Sequence, residues 1–194
     1  MMARQTLPKA KRESILREFN HRCAICGSDR PHIHHIDEDA TNNELENLLP
    51  LCPNCHLLDQ HNPTSPVDPR KLSLFRRYKD PLILSTQFEP LFKRMCFLIE
   101  INSYDKFDKV KAKRQVEELA LFVKALEMGD FYGERIESLT KEKGHVRVFG
   151  ESTPDAVFQR WREEERKEYY DMLTENAEAI IGMIIELLRY QKWS

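Results

Sequence analysis

The chain has 194 residues, 41% of them hydrophobic and 32% charged, with a net charge of −2. That suits one domain, or a small module joined to a second one, and excludes a low-complexity or broadly disordered chain. The start, MMARQTLPKAKR, has no apolar run behind it, and the longest apolar stretch (179–188) has ten residues with Glu186 inside it, where a bilayer span takes about 20, so neither a signal peptide nor a membrane span is expected, and a cytoplasmic location is.

The charge is unevenly spread. Residues 1–30 carry seven basic and three acidic side chains, whereas 31–61 carry six acids and no Lys or Arg. Residues 62–115 hold twelve basic against six acidic, and 116–194 eleven against seventeen. Two basic stretches therefore bracket an acidic, Cys/His-rich centre. Such an arrangement lets a polyanion dock beside a metal-binding core, although solvated helix faces produce the same runs.

In chain order, residues 8–20 (PKAKRESILREFN) predict a short helix with Ile15, Leu16 and Phe19 on its apolar face. Lys9, Lys11, Arg12 and Arg17 on this helix are candidate phosphate contacts. The helix leads into RCAICG, which holds the C-x2-C pair Cys23 and Cys26; a second pair, Cys52 and Cys55, stands in LCPNCH. Each pair suits a tight knuckle, with Gly27 and Pro53 at the turns, and two knuckles complete a tetrahedral Zn²⁺ shell. A disulfide framework or unrelated core cysteines are the alternatives. Without a secretion signal, and with all four cysteines inside 33 positions, a structural zinc is the expectation. Cys96, in LFKRMCFLIEI, reads as a buried small residue.

Between the knuckles, RPHIHHIDEDATNNELENLLPLC reads as a strand over 32–36, a polar loop and a second strand over 48–51. A helix then starts near Pro53, a favoured first helical position, and carries Cys55 and His56. Side chains alternate along a strand, so His34 and His35 face opposite sides and one can bind metal while the other meets a different partner.

After His61 come three prolines in NPTSPVDPRK, which mark a hinge and a module boundary. Residues 62–83 are expected to form a linker holding a short helix (72–78) that ends in the basic run Arg76, Arg77, Lys79, a second candidate for backbone contact. Residues 84–194 read as an all-helical domain, with helices over 88–101, 106–128 and 154–190 and a short strand over 145–149 (HVRVF). The stripe of the second helix is Val116, Leu119, Ala120, Val123 and Leu126; that of the third is Phe158, Trp161, Tyr169, Leu173, Ile180, Ile184 and Leu187. The third, about 55 Å long if continuous, is too long for the short helices to cover. It either breaks or meets another chain, so a homodimer or a partner protein docked through these helices is expected.

The order His34-His35-Ile36, Asn47-Leu48, Pro50-Leu51-Cys52 and Cys55-His56, interleaved with the two C-x2-C pairs, resembles the zinc-containing branch of the HNH, or ββα-metal, endonucleases. The resemblance covers roughly residues 10–61. It implies an α+β protein in which a small zinc-stabilised ββα-metal nuclease module (1–61) precedes the helical domain. His34 resembles the first ligand of a catalytic divalent ion, and His56 a second ligand presented from the helix. His35 resembles the general base that takes a proton from the attacking water. Asn47 resembles the residue that ties down the loop between the strands and so fixes His35. A further ligand often follows four residues after the helical His, which here is Gln60, with His61 one step beyond; water and phosphate are the other ways to complete the shell. His21, His32 and His145 match no motif position.

The implied reaction is hydrolysis of DNA phosphodiester bonds, with RNA left open, to give 5′-phosphate and 3′-hydroxyl ends. An imidazole ordinarily titrates near about pH 6.5 and so can accept a proton at physiological pH. A divalent ion polarises the phosphate and stabilises the leaving oxygen. Mg²⁺, Mn²⁺, Ni²⁺ and Zn²⁺ are the candidates, and Asp37, Glu38 and Asp39 form either an outer shell or a solvated acidic loop. A small nuclease with a helical appendage suits mobile-element, phage or antiviral-defence settings by analogy. The alternative is a non-catalytic zinc-stabilised module that binds nucleic acid or protein within a larger assembly.

Overall fold

The computed structural model describes residues 7–60, 67–101, 103–142, 144 and 154–191, of which 58–60 are described as backbone alone. The chain divides into two compact units, Met1–Ser85 and Thr86–Ser194. The described residues are mostly helical, with one two-stranded sheet. Among them no helix is long and apolar enough to cross a membrane.

The first unit opens with α1 (Lys9–Glu18), which buries Ile15. Asn20 and His21 then take left-handed backbone conformations (φ 53° and 57°), and His21 N–H donates to Leu16 O, so the chain turns sharply into the first knuckle. β1 (His32–His35) pairs antiparallel with β2 (Leu48–Leu51), in the register His32↔Leu51, Ile33↔Pro50, His34↔Leu49, His35↔Leu48. Pro50 lacks a backbone donor and is tolerated because each strand of a two-stranded ribbon is an edge. Its carbonyl accepts from Ala24 N–H at 2.8 Å, which joins the first knuckle to β2. All four β2 residues are buried, beside Ile15 and Ile36.

The stretch 62–83, expected as a linker, is folded into this unit wherever it is described. α2 (Pro69–Tyr78) starts with Pro69 behind Asp68, whose carboxylate accepts from Arg70 N–H, and ends at Lys79 in the left-handed region. It buries Leu72, Leu74 and Phe75. A 3₁₀ turn (Pro81–Leu84), capped by Asp80, adds Ile83 to the core. Pro69 and Pro81 each start an element here. Residues 61–66 lie outside the described ones.

The second unit contains α3 (Glu89–Glu100), α4 (Lys109–Lys124), α5 (Gly129–Leu139) and α6 (Asp155–Leu188). Its core is Phe88, Leu91, Phe92, Met95 and Leu98 with Val116, Leu119, Val123, Ile136, Leu173, Ile180, Ile184 and Leu187. The helix expected over 106–128 is shorter. Asp108 caps its start, and a turn with Met128 at φ 60° follows Lys124. A Cβ on Gly129 would lie 1.8 Å from Val123 O, so only glycine lets α5 begin this close to the end of α4. α6 runs unbroken for 34 residues, about 51 Å, and its buried positions begin only at Tyr169. Cys96 is half-buried, with its thiol on Lys93 O, rather than fully enclosed. The strand expected over 145–149 lies outside the described residues.

Candidate metal centre and histidine loop

The sulfurs of Cys23, Cys26, Cys52 and Cys55 all lie within 4.8 Å of one another, and Cys26 Sγ is 3.6 Å from Cys52 Sγ. Four thiolates around one Zn²⁺ at about 2.3 Å stand about 3.8 Å apart, so the cluster has the dimensions of a tetrahedral site. None of the five cysteines is paired in a disulfide in this structure.

Local backbone bonds shape both knuckles. In the first, Gly27 (φ 72°) donates from its N–H to Cys23 O at 2.9 Å, and Cys23 N–H donates to Ser28 O at 2.8 Å. In the second, His56 N–H donates to Cys52 O at 2.9 Å, and Cys55 N–H points at Cys52 Sγ at 3.4 Å. The thiols respond differently to their surroundings. Hydrogen bonds with Ser28, its hydroxyl first and its backbone second, hold the exposed Cys26 down to about 6. Burial first, and the neighbouring thiols second, push Cys55 up. Four thiols this close cannot all ionise without a cation among them, and a divalent ion removes that conflict. The residues therefore fit a structural metal ion. Among the described residues this is the one group of three or more His, Cys, Asp or Glu side chains that could hold an ion.

The strand alternation read from the sequence is present. His34 is buried and its ring meets that of His56 edge-on, with centroids 4.9 Å apart and planes at 77°. Two imidazoles bound to one ion at about 2.1 Å place their centroids roughly 4.5–5.3 Å apart for ligand angles between about 90° and 110°. The 4.9 Å separation falls inside that range, as it does inside the ordinary range of edge-on ring packing. His56 lies on a helical turn that begins at Pro53 and continues as a π-helix over Cys55–Gln60. The Gln60 side chain and His61 lie outside the described ones.

His35, on the other side of β1, is half-buried, with Nε2 3.1 Å from Asn43 Oδ1. Asn47 ties down the loop. Its Oδ1 accepts from Asp37 N–H at 3.0 Å, and its Nδ2 donates to Asp37 Oδ1 at 2.7 Å and Asn42 O at 2.9 Å. Asn42 Nδ2 donates to the other Asp37 oxygen at 2.6 Å. Burial opposes ionisation of Asp37, but hydrogen bonds from Asn42 and Asn47 outweigh it and hold the carboxyl below its usual value. Asp39 likewise accepts from the Thr41 hydroxyl and N–H. The acidic loop is thus a hydrogen-bonded scaffold, with Asp37 turned into it. Sequence reading did not single out Asn43; the polar run TNN gave a signal for a turn but none for a contact with His35.

The basic candidates divide. Lys9, Arg12 and Arg17 are exposed on α1, Arg17 in a surface pair with Glu13 at 3.2 Å, whereas Lys11 donates from Nζ to Asn43 O. Arg76 is corrected as a phosphate contact. Its side chain is 5% exposed, and its guanidinium makes two 2.8 Å hydrogen bonds to Glu18 and one to Leu45 O. Lys79 also pairs with Glu18, at 2.8 Å.

Compared with known family models, curated proteins and solved structures, the chain matches none.

Proposed function

We propose that the first unit is a metal-dependent endonuclease of the HNH type, cutting DNA phosphodiester bonds, with the cysteine tetrad as a structural zinc site. The observation that carries this reading is the division of labour across β1. His34 turns in against His56, while His35 turns towards a loop that Asn47 and Asn43 hold in place. A divalent ion held by His34 and His56 would supply charge stabilisation for the phosphate and the leaving oxygen. His35 accepts a proton from water as the water oxygen bonds to phosphorus. The bond from phosphorus to the 3′-oxygen breaks, and that oxygen leaves with a proton from solvent. Lys9, Arg12 and Arg17 are exposed cations of α1 that face the DNA backbone in this reading.

The test is cleavage of supercoiled plasmid with Mg²⁺, Mn²⁺, Ni²⁺ or Zn²⁺, comparing the unmutated protein with His35→Ala. Cleavage that falls at least about a hundredfold in the variant, with zinc retained, is the expected result. Equal cleavage by both proteins overturns the site. A second reading, a non-catalytic zinc-stabilised module that binds nucleic acid or protein, draws on one observation: among the described side chains only two imidazoles meet at the candidate catalytic ion. DNA binding without cleavage under any of the four ions would establish that reading instead.

A further inference from the structure

We propose that Asn43 is a positioning residue that fixes the tautomer of His35 and leaves Nδ1 as the imidazole's open acceptor. A carbonyl oxygen can only accept, so the 3.1 Å contact between Asn43 Oδ1 and His35 Nε2 requires Nε2 to carry the hydrogen. A neutral imidazole has one N–H, so its lone pair then stands at Nδ1. Asn43 is itself held from two sides. Its N–H donates to Thr41 O at 3.1 Å, and its carbonyl accepts from Lys11 Nζ, on α1 and 32 residues away in sequence. The chain of contacts runs from α1 through Lys11 and the Asn43 backbone to the Asn43 amide, and from there to the imidazole.

This arrangement is separate from the loop tie made by Asn47, which bonds Asp37 and Asn42 and makes none of the contacts to His35 described above. Asn47 shapes the loop, and Asn43 sets the ring. It also gives Lys11 a role other than phosphate contact, since its ammonium braces the residue that holds the base. Asn43's consequence for rate rests on the nuclease reading; its consequence for the imidazole does not.

The experiment therefore has two readouts on full-length, zinc-loaded protein. In the first, long-range ¹⁵N–¹H spectra of the histidine rings, taken above the imidazole titration range, distinguish the two neutral tautomers. Unmutated protein and Asn43→Asp, whose carboxylate can accept the same hydrogen bond, are expected to show His35 as the Nε2–H form alone. Asn43→Ala is expected to show a mixture. A His35 in the Nδ1–H form in unmutated protein, or a ring unchanged in Asn43→Ala, overturns the inference.

In the second, plasmid cleavage by Asn43→Ala is expected to show kcat reduced about 10- to 100-fold with KM nearly unchanged, the size of effect seen when a ligand- or base-orienting partner is removed. Asn43→Asp should restore most of kcat. Lys11→Met, which keeps the stem and removes the donor, should cost about threefold. Full kcat in Asn43→Ala overturns the positioning role while the nuclease reading stands. If His35→Ala cuts as fast as unmutated protein, the nuclease reading falls, and the ring spectra still decide what Asn43 does.

Discussion

The two units reach stability by different physical routes. In the second, α3 to α6 bury Leu, Ile, Val, Phe and Met side chains against one another, and α6 alone contributes Leu173, Ile180, Ile181, Ile184, Ile185, Leu187 and Leu188. In the first, the sheet has two four-residue strands, and the loop between them is held by side-chain hydrogen bonds that Asn42 and Asn47 donate to the Asp37 carboxylate. Strands that short are marginal on their own. The apolar core under them (Ile15, Leu48, Leu49, Leu51, Leu72, Phe75 and Ile83) is joined by specific tethers: the cysteine tetrad, the Ala24–Pro50 bond and the Arg76–Glu18 pair. The lesson is that precision and bulk are separable. A unit with a modest apolar core can hold a polar loop in one geometry when a few specific contacts pin the loop itself.

Metal removal should break the comparison most sharply. Structural zinc in small domains contributes about 10–16 kcal/mol of apparent binding free energy, as much as the whole stability of an ordinary domain. Stripping the metal, or replacing Cys52 by Ala, should therefore abolish amide-exchange protection across β1 and β2. Protection in α3 to α6 should persist, with helical circular dichroism largely retained. Strands that stay protected without metal would show that the tetrad is not the main tether.

The converse cut is Leu173→Ala, in a side chain with no solvent exposure. The cavity should cost about 3–4 kcal/mol and lower the melting transition of the helices, while the affinity of the cysteine tetrad for added Zn²⁺ stays unchanged. Zinc lost in step with the helices would mean that the units do not stand apart energetically.

What the sequence made legible follows the same division. Two C-x2-C pairs can meet around one point whatever lies between them, so the tetrad was readable from spacing alone. Strand alternation separated His34 from His35 for the same local reason. The Asn43 contact was not readable, because it depends on how a polar loop folds back over eight positions, and TNN carries no periodicity that says so. Arg76 was misread because a basic run looks solvated until Glu18, 58 residues earlier, is found beside it. In the second unit the apolar stripes gave the helices, but the end of α4 and the start of α5 turn on Gly129, where the constraint is a backbone approach that no apolar pattern records.

The smallest effect tests the last of the tethers. Glu18 is held below the usual carboxylate range, first by its hydrogen bond with Arg76 and then, against burial, by Lys79 and the two positive charges. A depressed carboxyl contributes stability above its unfolded pKa and loses it as pH falls through the folded value. Glu18→Gln should cost about 2 kcal/mol at pH 7, because Arg76 keeps its burial and loses its charged partner, while the one-third exposure of Glu18 keeps the loss below that of a fully enclosed pair. The difference between unmutated protein and Glu18→Gln, measured by denaturant unfolding of the first unit, should shrink below about pH 4.5 as the wild-type carboxyl is protonated. Because acid would also release an ion held by the cysteine tetrad from both proteins, the difference is the informative quantity, and a gap that stays constant down to pH 3 would mean that the ion pair contributes nothing through its charge.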